Sequence, residues 1–328
     1  MLLKTLKSNR AVNFFLFPFM GILFWLKSLI SPEAYPFYRG EQDNILYAPI
    51  HNLLKDYLLL QIIVTLFLVV GMALVLLQMN NKYNIIRIRT MLPAPLFVLI
   101  VSGFMSIHAL HPVYFAALFV LLAVYRLFSA FDQLKPYSPA FDSGFFLGIA
   151  SLFYFNAFVL LPAFLVGVGI LSRETKWREL AVCLLGFTLP FVFAFSYAFV
   201  SDQVPEFLGV LESNIVTPVS TLWTNIPLMI YLGLLLVLIF FGTVKILQQY
   251  DTKKVSTRRF FVVLFLVFAC ILASFILVPA TSVEIFVLAA IPVTFLLTNF
   301  FVFLKRRFWG ELWFFLLVAA VVALEFLA

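Results

Sequence analysis

Long apolar runs separated by short polar breaks set the pattern of this chain. They fall at about 12–30, 57–78, 92–110, 112–130, 141–156, 157–171, 179–200, 226–247, 260–278, 284–303 and 309–327. A helix of about 20 apolar residues crosses the roughly 30 Å hydrocarbon layer. Read this way, residues 1–328 form one all-α, polytopic transmembrane bundle of about eleven spans. The connections at 110–112 and 155–158 are very short, and 141–156 is brief for an untilted crossing. For 141–171 a broken or re-entrant element is therefore the alternative to two spans. The two largest polar stretches on one side are 31–56 and 201–225.

Composition agrees with lipid as the main solvent. The chain is 64% hydrophobic and 11% charged, whereas a soluble domain is about one quarter charged. Too few polar residues remain to clothe a water-facing surface, which excludes an ordinary soluble enzyme. Cys183 and Cys270 sit inside apolar runs and build no disulfide framework, and the three histidines match no zinc spacing. The absence of a GxxxxGK[ST] segment argues against an ATPase.

The net charge of +7 does not point to nucleic acid, because the basic residues cluster in alternate breaks. With the N-terminus inside, the 22 Lys and Arg residues fall on the cytoplasmic side, except Lys27, Arg39 and Lys55. Glu33, Glu41, Asp43, Asp56, Asp202, Glu206 and Glu212 fall on the other side. This asymmetry predicts a multi-pass protein of a bacterial inner (cytoplasmic) membrane, N-terminus cytoplasmic and C-terminus external. The first apolar run follows a basic start but ends without a small-x-small cleavage site, so it reads as a retained span.

Within the first outer stretch, Leu46, Ile50, Leu53 and Tyr57 recur at spacings of three and four. They predict an interfacial amphipathic helix across about 44–56, with Asp43 or Asn44 as its cap and Pro49 in its first turn. Asp43, with Glu41 two residues away, would stand near the phosphate depth of the membrane. A carboxylate there can serve as general base or as ligand to a divalent cation, the one cofactor this loop suggests. HALHP at 108–112 places His108 and His111 three apart at a helix end, with Pro112 starting the next span. Neutral imidazoles on that side can contact a phosphate oxygen or relay a proton. Arg39, Lys55 and His51 are the substrate-binding candidates of the same side.

On the inner side, Asp142 and Ser143 are expected to open a helix, with Asp142 pairing to Arg126 or to the RETKWRE group at 173–179. Gly144 and Gly148 form a small-xxx-small step for close helix packing. Glu284 is expected to cap the apolar run that follows it. No span carries an ionisable residue at its centre, which weighs against an ion-coupled transporter.

Four segments carry a resemblance: FLFPFMGILFWLKSLI, HALHP, FDSGFFLGIASLFYF and WRELAVCLLGFTLPFVFAFSYAF. With them the chain resembles an uncharacterised family of multispanning inner-membrane proteins from Bacteroidota, which implies a lineage and no reaction. More distantly it is similar in architecture to lipid-dependent glycosyltransferases of the GT-C class. That similarity implies a catalytic acid in the first outer loop, matched by Asp43 with Glu41 as substitute, and a helix opening matched by Asp142, Gly144 and Gly148. The chain departs from the class in its short first loop, its mid-loop acid and its lack of an evident donor-phosphate base, for which Lys27, Arg39 and Lys55 are the candidates. The leading reading is a glycosyltransferase-like protein that acts on or binds a polyprenyl- or phospholipid-linked substrate. A non-catalytic accessory subunit partnered with an envelope protein is one alternative, and a transporter of a small or lipidic solute is another.

Overall fold

A chain with no water beside it must bond its own amides, and in a membrane the helix is the simplest way. The computed structural model describes residues 2–7, 12–37, 41–104, 107–174, 177–216, 226–279, 281 and 283–327. Its helices are α1 (Leu2–Lys7), α2 (Val12–Phe24), α3 (Leu26–Ile30), α4 (Ala48–Leu54) and α5 (Leu58–Tyr83). There follow α6 (Pro93–Ser102), α7 (Pro112–Phe128), α8 (Tyr137–Phe153), α9 (Leu161–Leu171) and α10 (Trp177–Val200). The last are α11 (Val204–Val216), α12 (Ile226–Gln248), α13 (Val255–Leu277), α14 (Phe286–Phe303) and α15 (Arg307–Leu327). Short 3-10 turns at Phe155–Leu160 and Val283–Ile285 lead into α9 and α14. No strand occurs among the described residues.

Local chemistry sets several ends. Proline stands in the first turn of α4, α6, α7 and α9, where its missing N–H costs nothing. Asn84 closes α5 in the left-handed region, with φ of 48°, a conformation asparagine tolerates better than most residues.

Among the described residues six helical stretches are long and apolar enough to cross a membrane: α5, α10, α12, α15, Val255–Phe275 within α13 and Val283–Phe303 around α14. The α14 stretch is the axis of the bundle, 89% of its most apolar window being buried by protein. For α10 the figure is 17%. That helix turns Leu185, Phe193, Tyr197 and Phe199 outwards, a surface suited to lipid tails and too large a patch for water.

The run at 92–110 is not one continuous helix. Helix α6 has ten residues, about 15 Å, or half the hydrocarbon layer. The described part of 103–111 carries no α-helix, so His108 and His111 do not share a helical face. The described residues of this break are all buried, the condition under which irregular backbone is tolerated at membrane depth. A helix end leaves carbonyls short of partners; here the Gly103 and Phe104 amides turn back to Ile100 and Val101, and side chains add further donors. Tyr231 donates to the Ile100 carbonyl (2.8 Å), Tyr114 to that of Ile107 (2.7 Å) and Tyr47 to that of Leu110 (2.7 Å). His108 Nε2 lies 3.1 Å from the Ser102 carbonyl.

Helices α8 and α10 cross with their backbones nearly touching. A Cβ on Gly144 or Gly148 would run into the carbonyl oxygen of Cys183 or Phe187, and one on Gly186 into that of Phe141. Because α8 begins at Tyr137, Asp142 and Ser143 lie in its second turn and do not open it. Asp142 accepts from Arg126 Nε on α7 at 2.8 Å, while the Ser143 hydroxyl turns back to the Ala140 carbonyl.

Successive long helices run in alternating directions. One end of the bundle gathers the loop 31–56, the end of α6, the starts of α7, α12 and α14, and the ends of α8 and α13. Cross-ties hold it together: the Leu46 amide meets the Leu152 carbonyl, and Asn214 Nδ2 of α11 donates to Asn44 Oδ1 at 3.1 Å.

Candidate functional site

The polar groups that matter lie at this end, beneath the first loop. Tyr35 precedes Pro36, which holds it extended, and its buried hydroxyl donates to Glu284 Oε1. Glu284 is 2% exposed and sits in the 3-10 turn before α14. Its carboxylate reaches towards the loop and, among the described residues, caps no helix amide. Glu284 Oε2 has no hydrogen-bond partner among the described residues.

Glu41 is also buried, and its Oε2 lies 3.6 Å from His111 Nε2. His111 Nδ1 accepts the Val113 amide at 3.2 Å and so caps α7. A nitrogen that accepts an N–H carries no proton of its own, so the ring hydrogen sits on Nε2 and faces Glu41. At 3.6 Å the pair is a close electrostatic contact and not a hydrogen bond, and His111 Nε2 has no hydrogen-bond partner among the described residues. Tyr35 and Phe37 pack on the His111 ring, and Tyr154 lies close enough to feel both Glu41 and Glu284. Burial pushes the Tyr47 hydroxyl up, with Glu41 adding to the rise. His51, at the loop's edge, is pushed down by burial; Asp43 opposes the shift and Lys55 adds to it.

Several sequence candidates lie elsewhere. Asp43 and Lys55 are exposed, and Arg39 falls outside the described residues. His108 is 3% exposed, stacked on Trp25 with ring centroids 4.1 Å apart, and has Ser28 Oγ 3.1 Å from Nδ1. Facing a carbonyl, its Nε2 must donate, so both ring nitrogens are occupied and a phosphate has no access to them. Lys27 Nζ donates to the Glu325 carbonyl at 3.1 Å. The surface helix is shorter than 44–56 and shows a different face. Tyr47 is buried and Ile50 and Leu54 pack on the core, while Leu53 and Tyr57 point outwards. The Asn44 carbonyl, not a side-chain cap, accepts the amides of Tyr47 and Ala48.

A divalent cation would need a third ligand. Among the described residues no group of three or more His, Cys, Asp or Glu could hold one. Sequence reasoning overlooked Tyr35, Tyr47 and Tyr154. The only local sign was tyrosine recurring in a proline-bearing polar loop, SPEAYPFYRG.

At the same end lies a cavity of about 550 Å³. It is formed by the first half of α12, the second half of α13, the start of α14 and Phe104 after α6. Phe286 stacks on Phe104 and packs on Phe275 to make its aromatic wall. Thr281 lines it, and its buried hydroxyl has no hydrogen-bond partner among the described residues.

Neither the curated proteins nor the solved structures include a match to this chain. Residues 45–327 match a family described as "Family of unknown function (DUF6427)", and Glu41 and Asp43 lie just ahead of the matched segment. Since that match takes in most of the sequence, the chain belongs to this family of unknown function.

Proposed function

We propose that the protein is a glycosyltransferase-like enzyme acting on a polyprenyl- or phospholipid-linked substrate at the outer leaflet of a bacterial inner membrane. The observation that carries the reading is Glu41, drawn from a polar loop into a buried cluster with His111, Tyr35 and Glu284. Burying carboxylates is costly, and clusters of this kind concentrate at working sites. In the proposed step an acceptor hydroxyl oxygen forms a bond to the anomeric carbon. Glu41 takes the hydroxyl proton, and the bond from that carbon to the lipid phosphate oxygen breaks with its electron pair leaving on the phosphate. His111 is a positioning residue for Glu41. Arg39 or Lys55 would meet the charge on the departing phosphate. The architectural similarity to GT-C enzymes is part of this proposal, with Glu41 in place of Asp43 as the loop acid.

The proposal includes eleven crossings with the N-terminus cytoplasmic and the C-terminus external. What supports it is the alternating run of the helices and the collection of basic residues at the end opposite the loop. Reporter fusions after residues 90, 135, 175, 255 and 307 should read cytoplasmic, and those after 215 and at the C-terminus external. A fusion after 175 reading external would break the count at 141–171.

The functional test is transfer by purified protein in lipid, with extracted polyprenyl-phosphate sugars as donors. Glu41→Gln should lower transfer about a hundredfold or more, the scale of a lost proton acceptor, while Asp43→Asn stays near the parent. A protein indifferent to Glu41→Gln that purifies with a stoichiometric partner would overturn this reading in favour of an accessory subunit of an envelope complex.

A further inference from the structure

We infer that the cavity between α12 and α13 is a lateral slot that takes one long hydrocarbon chain of a membrane lipid. This deepens the reading above and rests on it for the placement of the slot in the bilayer. Although consecutive in the chain, α12 and α13 each pack against α14, and their separation at the loop end leaves the slot. Among the described residues its lining includes no Lys, Arg, Asp, Glu or His, so a charged head has no ionic partner inside, and along most of its length an aliphatic chain meets only apolar side chains.

The mouth is marked by Met229, Leu236 and Leu272, which are 39%, 55% and 38% exposed. They belong to helices of membrane-crossing length, so the medium outside the mouth is hydrocarbon. An apolar cavity stays dry, and one open to lipid fills with lipid tails. The volume of about 550 Å³ lies in the range of sites that enclose one elongated ligand. Gly233 also lines the slot and is exposed, and nothing lies within 4 Å of where its Cβ would stand.

The slot has a polar end. Thr281, 6% exposed, brings an unsatisfied hydroxyl into the lining. It stands three residues before Glu284, whose carboxylate meets Tyr35 under the loop. A lipid lying with its tail along α14 towards Val293 would bring its ester or phosphate oxygen to Thr281 and its head to the loop cluster. Isoprenoid and acyl chains share the chemistry that the slot reads.

The full-length protein is reconstituted in bilayers of phosphatidylethanolamine and phosphatidylglycerol. These carry either a phospholipid with a diazirine in mid-chain or a polyprenyl phosphate bearing the same group. After photolysis, peptides are mapped by mass spectrometry. Label on Leu232–Leu236 and Phe268–Leu272 should exceed that on the outward face of α10 at Phe193 and Phe199 by about tenfold. Enrichment with either probe supports the slot and identifies its source of chain. Gly233→Phe fills open space, so the variant should melt with the parent and lose the enrichment. If it misfolds, Gly233→Leu is read the same way. Equal labelling of slot and α10 in the parent, or full enrichment in a folded Gly233→Phe protein, would overturn the inference. Glu41→Gln should leave the enrichment intact, so failure of the catalytic reading and failure of the slot give different results.

Discussion

Gly144→Ala is expected to leave little folded protein. A single methyl at that position would fall inside contact distance of the Cys183 carbonyl oxygen, which belongs to the α10 backbone and has no rotamer by which to move away. Relief requires α8 and α10 to separate, and that would also lift Gly148 and Gly186 from the carbonyls they rest on. Overpacking commonly costs 1–3 kcal/mol, and because three approaches are lost together we expect about 3 kcal/mol or more. In a membrane the association of helices depends on such close packing, since lipid tails are as apolar as leucine. Gly71→Ala is the control, because nothing lies within 4 Å of its would-be Cβ. That substitution should be neutral or slightly stabilising. Melting temperature and the monodisperse fraction in detergent decide the matter: a Gly144→Ala protein as robust as Gly71→Ala would refute the close crossing.

His108→Leu should also destabilise strongly. The substitution removes the donor to the Ser102 carbonyl, the acceptor facing Ser28 and the ring stacked on Trp25. An unsatisfied buried carbonyl costs about 1–3 kcal/mol and a lost aromatic stack about 1 kcal/mol, so the sum is about 2–4 kcal/mol. His108→Gln, which restores a donor, should recover part of it. Substrate contact predicts something else. If His108 held a phosphate, the Leu variant would melt like the parent and lose lipid binding instead.

Much of the fold can be read from run lengths, because lipid as solvent turns each crossing into an unbroken apolar stretch. The segments near 57–78, 179–200, 226–247, 260–278, 284–303 and 309–327 all coincide with membrane-length helices. The break after Ser102 could not be read in this way. No charge or proline interrupts FVLIVSGFMSIHAL, and the donors that make the break tolerable arrive from Tyr47, Tyr114 and Tyr231, positions that no local pattern connects to it. The face of the surface helix was hard to read for another reason. Over seven residues, spacings of three and four fit two faces, and only packing chose Tyr47, Ile50 and Leu54 over Leu53 and Tyr57. That Glu41 is buried and Asp43 exposed turns on two residues of loop path. That path is set in part by Asn44 bonding to Asn214, 170 residues later. Gly144 and Gly148, by contrast, carry their meaning in their own spacing.

The broken α6 has a consequence for biogenesis. Its four carbonyl partners are not synthesised together: His108 and Tyr114 follow within a few residues, Tyr47 is already made, and Tyr231 comes 131 residues after Ile100. At translation rates of roughly 5–20 residues per second, that last donor is delayed by roughly 7–26 s. Until α12 emerges, the Ile100 carbonyl has only the Gly103 amide, at 3.3 Å, and lacks its second donor, which favours an early intermediate kept near the interface or in the shelter of the insertion machinery. Arrival of Tyr231 then latches the half-helix at depth, so the seating of an element from the first third of the chain waits on one from the last.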